Sequence, residues 1–185
     1  MRLHRLVAAL FAAVLLAGCS SGADNGAGFV AGDGTLTVLP VGQRPAAPEV
    51  TGTTLDGVRW HSSQTAGKVV VYNVWGSWCA PCRAEAADLV AAANATTSTA
   101  TFVGLNTRDL DTAAPRAFVR AFGVPYVNLY DPDGALLLKF STQLPANAIP
   151  STLVVDRSGK VAARIIGATT QATLVGLIND LAAGR

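Results

Sequence analysis

The 185-residue sequence has three cysteines, two histidines and one methionine, and only 14% of its residues are charged. Three cysteines are too few to staple a small disulfide-rich scaffold. Two histidines leave little for a histidine-built metal site. The formal charge of +2 includes Arg2 and Arg5, which lie in a segment that reads as removable; from Cys19 onward 12 Lys+Arg face 12 Asp+Glu. A near-neutral chain without a basic stripe lacks the electrostatic footprint of a nucleic-acid binder. The chain is long enough, and at 50% hydrophobic apolar enough, to bury the core of one ordinary domain.

The apolar run Leu6 to Ala17 would rise only about 18 Å as a helix, against a hydrocarbon core of about 30 Å. With Arg2, His4 and Arg5 before it, this run reads as the hydrophobic region of a signal peptide rather than a membrane span. It closes on Leu16-Ala17-Gly18-Cys19, which resembles the bacterial lipobox. That resemblance implies cleavage after residue 18, lipid on Cys19, and a mature protein anchored on the extracytoplasmic face of the cell membrane. Two cysteines, Cys79 and Cys82, then remain to pair with each other, bind something or react.

Residues 20–34 are Gly, Ala, Ser, Asn and Asp with almost no apolar periodicity, the composition of a flexible tether. Thr35 to Pro48 is either a short strand carried by Leu36, Val38 and Val41 or more of the tether. The expected organisation is a signal peptide over 1–18, a lipidated cysteine and tether over 19–47, and a folded domain over 48–185. Within that domain Val50 to Trp60 reads as a hairpin, and Lys68 to Trp75 as a central strand covered on both faces. Pro81 to Asn94 reads as a helix, Thr101 to Asn106 as a strand, Ala113 to Phe122 as a helix, and Val127 to Tyr130 as a short strand. A brief helix over 135–140 follows. Ser151 to Val155 and Lys160 to Ile166 flank the turn Asp156-Arg157-Ser158-Gly159, and Thr170 to Ala183 is an amphipathic closing helix. Strands alternating with helices give an α/β domain with a mixed sheet.

Chemistry concentrates at Trp78-Cys79-Ala80-Pro81-Cys82, between a buried strand and a helix start. At a helix N-terminus the free backbone N–H groups and the helix dipole favour an anion, so the Cys79 thiolate is stabilised and becomes a nucleophile toward disulfides. Cys82, one turn on, is placed to attack the mixed disulfide and release the product. Pro81 fixes the backbone where no hydrogen bond is needed. A zinc site would need four ligands, and no second Cys-x-x-Cys exists, so no metal is expected.

The run Trp75-Gly76-Ser77-Trp78-Cys79-Ala80-Pro81-Cys82 resembles the active site of the thioredoxin superfamily, and most closely its membrane-anchored TlpA/ResA-like branch. The resemblance implies a thioredoxin fold with an N-terminal hairpin and a helix–strand insertion over Ala113 to Tyr130, which we connect to partner recognition. It implies a cis-proline facing the cysteines, matched by Pro150, whose predecessor Ile149 would pair with a substrate backbone. Thioredoxin's buried aspartate six residues before the first cysteine is Asn73 here. A glutamate three residues after the second cysteine, as in the ResA-like branch, is matched by Glu85, which would move the proton of Cys82. Trp78, Ala80 and Pro81 would meet the substrate, with Trp78 shielding Cys79 and Trp75 packed in the core. No cofactor is implied.

The function so implied is thiol-disulfide exchange in exported proteins, with a membrane electron-transfer partner and a monomeric chain as the default. A reductase, as in the preparation of apocytochrome c cysteines for haem attachment, is the leading reading; an oxidase that introduces disulfides is the alternative. A peroxidase of the peroxiredoxin type would need Pro at Tyr72 and Thr at Gly76. A Sco-type copper chaperone would need Cys-x-x-x-Cys and a histidine downstream of His61. Neither pattern is met.

Overall fold

The computed structural model describes residues 29–31 and 34–185. The signal peptide over 1–18, Cys19 and the first part of the tether lie outside the described residues. In chain order the elements are β1 (Phe29–Ala31), β2 (Gly34–Val38), β3 (Thr51–Thr53), β4 (Arg59–His61), β5 (Val69–Trp75), α1 (Ala80–Ala95), β6 (Ala100–Thr107), α2 (Ala113–Phe122), β7 (Val127–Asp131), α3 (Ala135–Leu138), β8 (Ser151–Val155), β9 (Val161–Gly167) and α4 (Gln171–Ala182).

Seven strands form one sheet in the order β1-β2-β9-β8-β5-β6-β7, and β3 pairs with β4 in a small hairpin. The pairs β5–β6 and β6–β7 are parallel, with α1 and α2 supplying the crossovers that parallel neighbours require. The other pairs of the sheet are antiparallel. All seven residues of β5 are buried, which explains its unbroken apolar character.

Side chains alternate across β5, so its two faces feed two cores. Val69 and Val71 pack with Phe102, Val154 and Ile165 beneath α1 and α4. Val70, Tyr72 and Val74 pack with Leu105, Leu129 and Leu153 beneath Trp60, Leu137 and Phe140. Residues 73 and 75 fall on the α1 side by the same alternation. On α1 the buried residues Cys82, Glu85, Ala86, Leu89, Ala92 and Ala93 recur at helical spacing, so one helix face carries both Cys82 and Glu85.

One boundary needs correction. The sheet begins ahead of residue 48, where the sequence sets the start of the folded domain. Gly34 to Val38 pairs residue by residue with β9, from Gly34 opposite Gly167 to Val38 opposite Ala163, and Leu36 is buried in the core. Of the two readings left open for this segment the strand is the one adopted, while Val41 lies exposed in a short 3-10 turn over Val41–Gln43. The Thr35-Leu36-Thr37-Val38 alternation is strand-like but only four residues long, and the partner strand that takes it into the sheet lies some 130 residues away. β1, paired antiparallel with β2, likewise falls within residues 20–34, which the sequence reads as tether; the remaining elements fall within a few residues of their expected positions.

Candidate active site

Cys79 is the N-cap residue of α1, and Pro81 sits in its first turn. The Cys79 Sγ accepts the backbone N–H of Cys82 at 3.2 Å, the role usually filled by a Ser, Asp or Asn oxygen. The two cysteines are joined as a disulfide and are buried, while Trp78, Ala80 and Pro81 are exposed around them. The Trp78 indole lies against Gly76: a Cβ at that position would meet the ring at 2.6 Å, so glycine is what lets the ring fold back over the chain. Trp78 remains 53% exposed, leaving a large apolar surface open to solvent.

The Ile149–Pro150 peptide is cis, as expected for the loop that faces the cysteines. Ile149 packs in the same cluster as Cys79, Cys82, Leu55, Trp75, Ala86 and Phe118. The structure thus brings together Cys79, Cys82 and Ile149. Pro150 is buried beside Ile149, and its carbonyl accepts the N–H of Gly167.

Glu85 is not the exposed glutamate that a helix often carries. It is 2% exposed, its Oε1 accepting from Asn73 Nδ2 at 3.0 Å and its Oε2 from the backbone N–H of Thr169 at 3.0 Å. Asn73 Nδ2 also donates to Thr152 Oγ1 at 3.2 Å. Burial pushes the Glu85 carboxyl up to about 7, against the pull of the hydrogen bonds from Asn73 and Thr169 and with a small push from Asp88. Asn73 and Cys82 line one small cavity of about 10 Å³ together with Trp75, Tyr126 and Asn128, room for about one water molecule. Burial also raises the Tyr126 hydroxyl, with Glu85 adding to the effect.

Several residues that hold the site carry no sequence signal of their own. Trp75 Nε1 donates to Asn128 Oδ1 at 2.9 Å, and its ring stacks on Phe118 with centroids 4.5 Å apart. Gly104 on β6 makes room for that pair, since a Cβ there would lie 1.9 Å from Asn128 Oδ1. Asp109 accepts from the Ser77 N–H at 2.9 Å, from Ser77 Oγ at 2.5 Å and from Asn106 Nδ2 at 2.7 Å, fixing the turn that leads into the cysteines. His61, expected on the surface without a partner, is exposed and hydrogen-bonds Thr51 Oγ1.

A Cys-x-x-Cys at a helix N-terminus, facing a cis-proline loop on a mixed sheet, defines a thioredoxin-fold protein. The Redoxin family profile matches residues 40–178, three quarters of the chain, and the chain belongs to that family. It is similar to the thiol:disulfide interchange protein HelX of Rhodobacter capsulatus, with 33% identity over 64% of this chain and 63% of that protein. It also resembles the soluble secreted antigen MPT53 of Mycobacterium tuberculosis, with 38% identity over 50% of this chain and 53% of that one. Alignment therefore spans between half and two thirds of these curated relatives. Among solved structures, a DsbF homologue from Corynebacterium diphtheriae superposes with a TM-score of 0.75 and 31% identity, over 79% of this chain and 92% of that one.

Proposed function

We propose that the protein is an extracytoplasmic thiol-disulfide oxidoreductase, held to the membrane by lipid on Cys19, that reduces disulfides in exported proteins. The observation that carries the reading is the Cys79–Cys82 disulfide at the N-cap of α1, where the Cys82 N–H already points at the Cys79 sulfur. In the dithiol form the Cys79 thiolate attacks a client disulfide, forming a mixed disulfide and expelling one client thiolate. The Cys82 thiolate then attacks the Cys79 sulfur, closing the intramolecular disulfide and expelling the second client thiolate. The client gains two electrons, and a membrane electron carrier returns two to the protein.

Glu85 supports the proton role. With a pKa near 7 its carboxylate can take the Cys82 proton as that thiol becomes a nucleophile, and is itself neutral once the thiolate has formed. The direction rests on the ResA-like pattern of Glu85 with Asn73. The Arg83 guanidinium lies over the rings of Phe118 and Phe122, at 5.7 and 5.4 Å from their centroids. HelX is a thiol:disulfide interchange protein, which supports the activity, and MPT53 is a soluble secreted antigen, which supports the compartment. Apocytochrome c is the client class the TlpA/ResA-like resemblance suggests.

The test is a Cys82→Ala variant expressed in a cell that exports the protein. It should accumulate mixed disulfides through Cys79, and the Cys79→Ala variant should accumulate none. Trapping by Cys79→Ala instead would reverse the assignment, and trapping by neither would end it.

A further inference from the structure

The loop between β6 and α2 is fixed at three points. Asp109, 6% exposed, holds both the backbone and the hydroxyl of Ser77, two residues before Cys79. Tyr130 donates its hydroxyl to the Asp109 carbonyl at 3.1 Å. Arg108 adopts a left-handed backbone with φ of 59°, a conformation costly for a side chain of that size, and its guanidinium donates to the carbonyl of Ala146, in the segment that leads to Ile149 and Pro150. One short loop is therefore tied to the turn that carries Cys79 on one side and to the cis-proline loop on the other.

The next residue is Leu110, which is 99% exposed. Among the described residues no other large apolar side chain is so fully in solvent. A leucine 99% exposed, in a strained and tethered loop, contributes nothing to the core and exposes apolar surface to water. Trp78, the residue after the Ser77 that Asp109 clamps, is also largely exposed. Leu110 follows Asp109 and Trp78 follows Ser77, so the two exposed side chains flank the Asp109–Ser77 contact, two residues from Cys79.

We propose that Leu110 is a specificity-determining contact of the active site, which with Trp78 receives an extended client segment carrying an apolar side chain beside its disulfide-bonded cysteine. Asp109 is the positioning residue that holds Leu110 beside that contact. The inference rests on the disulfide-exchange reading above. Only a segment joined through its cysteine to Cys79 is obliged to lie against this surface, so the occupant is the client itself.

The experiment compares two synthetic disulfide peptides that differ only in Leu or Ser at the residue after the cysteine. Wild-type protein should reduce the Leu peptide with a kcat/KM about five- to tenfold above that for the Ser peptide, the scale of a partly buried apolar contact. Leu110→Ser should bring that ratio close to one, chiefly through KM, and Leu110→Met should restore it. Because the side chain is fully exposed, the variants should keep the wild-type Tm. A wild-type ratio near one, or a preference that survives in Leu110→Ser, overturns the inference and leaves the exchange activity standing. Wild-type protein that reduces neither peptide overturns the underlying reading instead.

Discussion

Glu85 and Asn73 meet 3.0 Å apart in the interior, the carboxylate on α1 accepting from the amide on β5. The acid is thereby held on the buried face of the helix that begins at Cys79, three residues beyond Cys82. Burial keeps its pKa near 7, so its charge is set by pH in the ordinary working range.

Stability should accordingly fall as pH rises through neutrality. The folded-state pKa of Glu85 lies above the unfolded value of about 4.3, so the folded protein holds an extra proton between those values. Its contribution is complete below about pH 4 and is lost as pH rises through 7. The full linkage is about 4 kcal/mol, and Glu85→Gln forfeits about 1 kcal/mol of hydrogen bonding where its amide meets the Thr169 N–H. The variant should be about 3 kcal/mol more stable than wild type at pH 8.5 and no more stable at pH 5, as read by denaturant titration at both values.

The same carboxylate should leave a mark on kinetics. Release of a preformed mixed disulfide by Cys82 should slow below pH 7 in wild type, with a break near that value. Glu85→Gln should lose the break and resolve more slowly, by about tenfold at pH 7.5, when followed by stopped-flow fluorescence of Trp78. An unaltered profile would remove Glu85 from proton transfer.

Gly104 is required by its neighbours rather than by its backbone. A methyl there would collide with Asn128 Oδ1 and with Trp75 Nε1, which it would approach to 2.8 Å. Gly104→Ala should therefore break the Trp75–Asn128 hydrogen bond and cost about 2 kcal/mol. The shift would be seen in the denaturation midpoint and in the Trp75 emission.

The strand ahead of the expected domain start gives a further check. A chain beginning at Pro48 loses β2, uncovers the edge of β9 and removes Leu36 from the core. It should be less stable by about 3 kcal/mol, with a Tm about 10 °C lower, and more prone to aggregate through the exposed edge.

Much of this architecture was legible because local signals and tertiary context agree. The β5 run Val69 to Trp75 is apolar on both faces since both faces are covered, and α2 ends at Gly123, whose φ of 63° stops the helix where the sequence suggests. The Cys79–Cys82 motif was readable because strand, turn and helix start follow one another in the chain. What stayed hidden depends on residues distant in sequence. Leu36 acquires meaning only against Ile165, and Asp109 only against Ser77, thirty-two residues earlier. Asn73 was legible as a departure from thioredoxin's aspartate and Glu85 as a match to the ResA-like glutamate, but their pairing was not. The burial of Glu85 and its contact with Thr169 come from α4 closing over α1.

The most direct test is the reduction potential of the Cys79–Cys82 couple, measured at equilibrium against a thiol–disulfide buffer at pH 7. A reductase of exported disulfides should lie near the thioredoxin value of roughly −270 mV. A value above about −180 mV would mean that the dithiol form is strongly stabilised, and the protein would then be a donor of disulfides rather than a reductase.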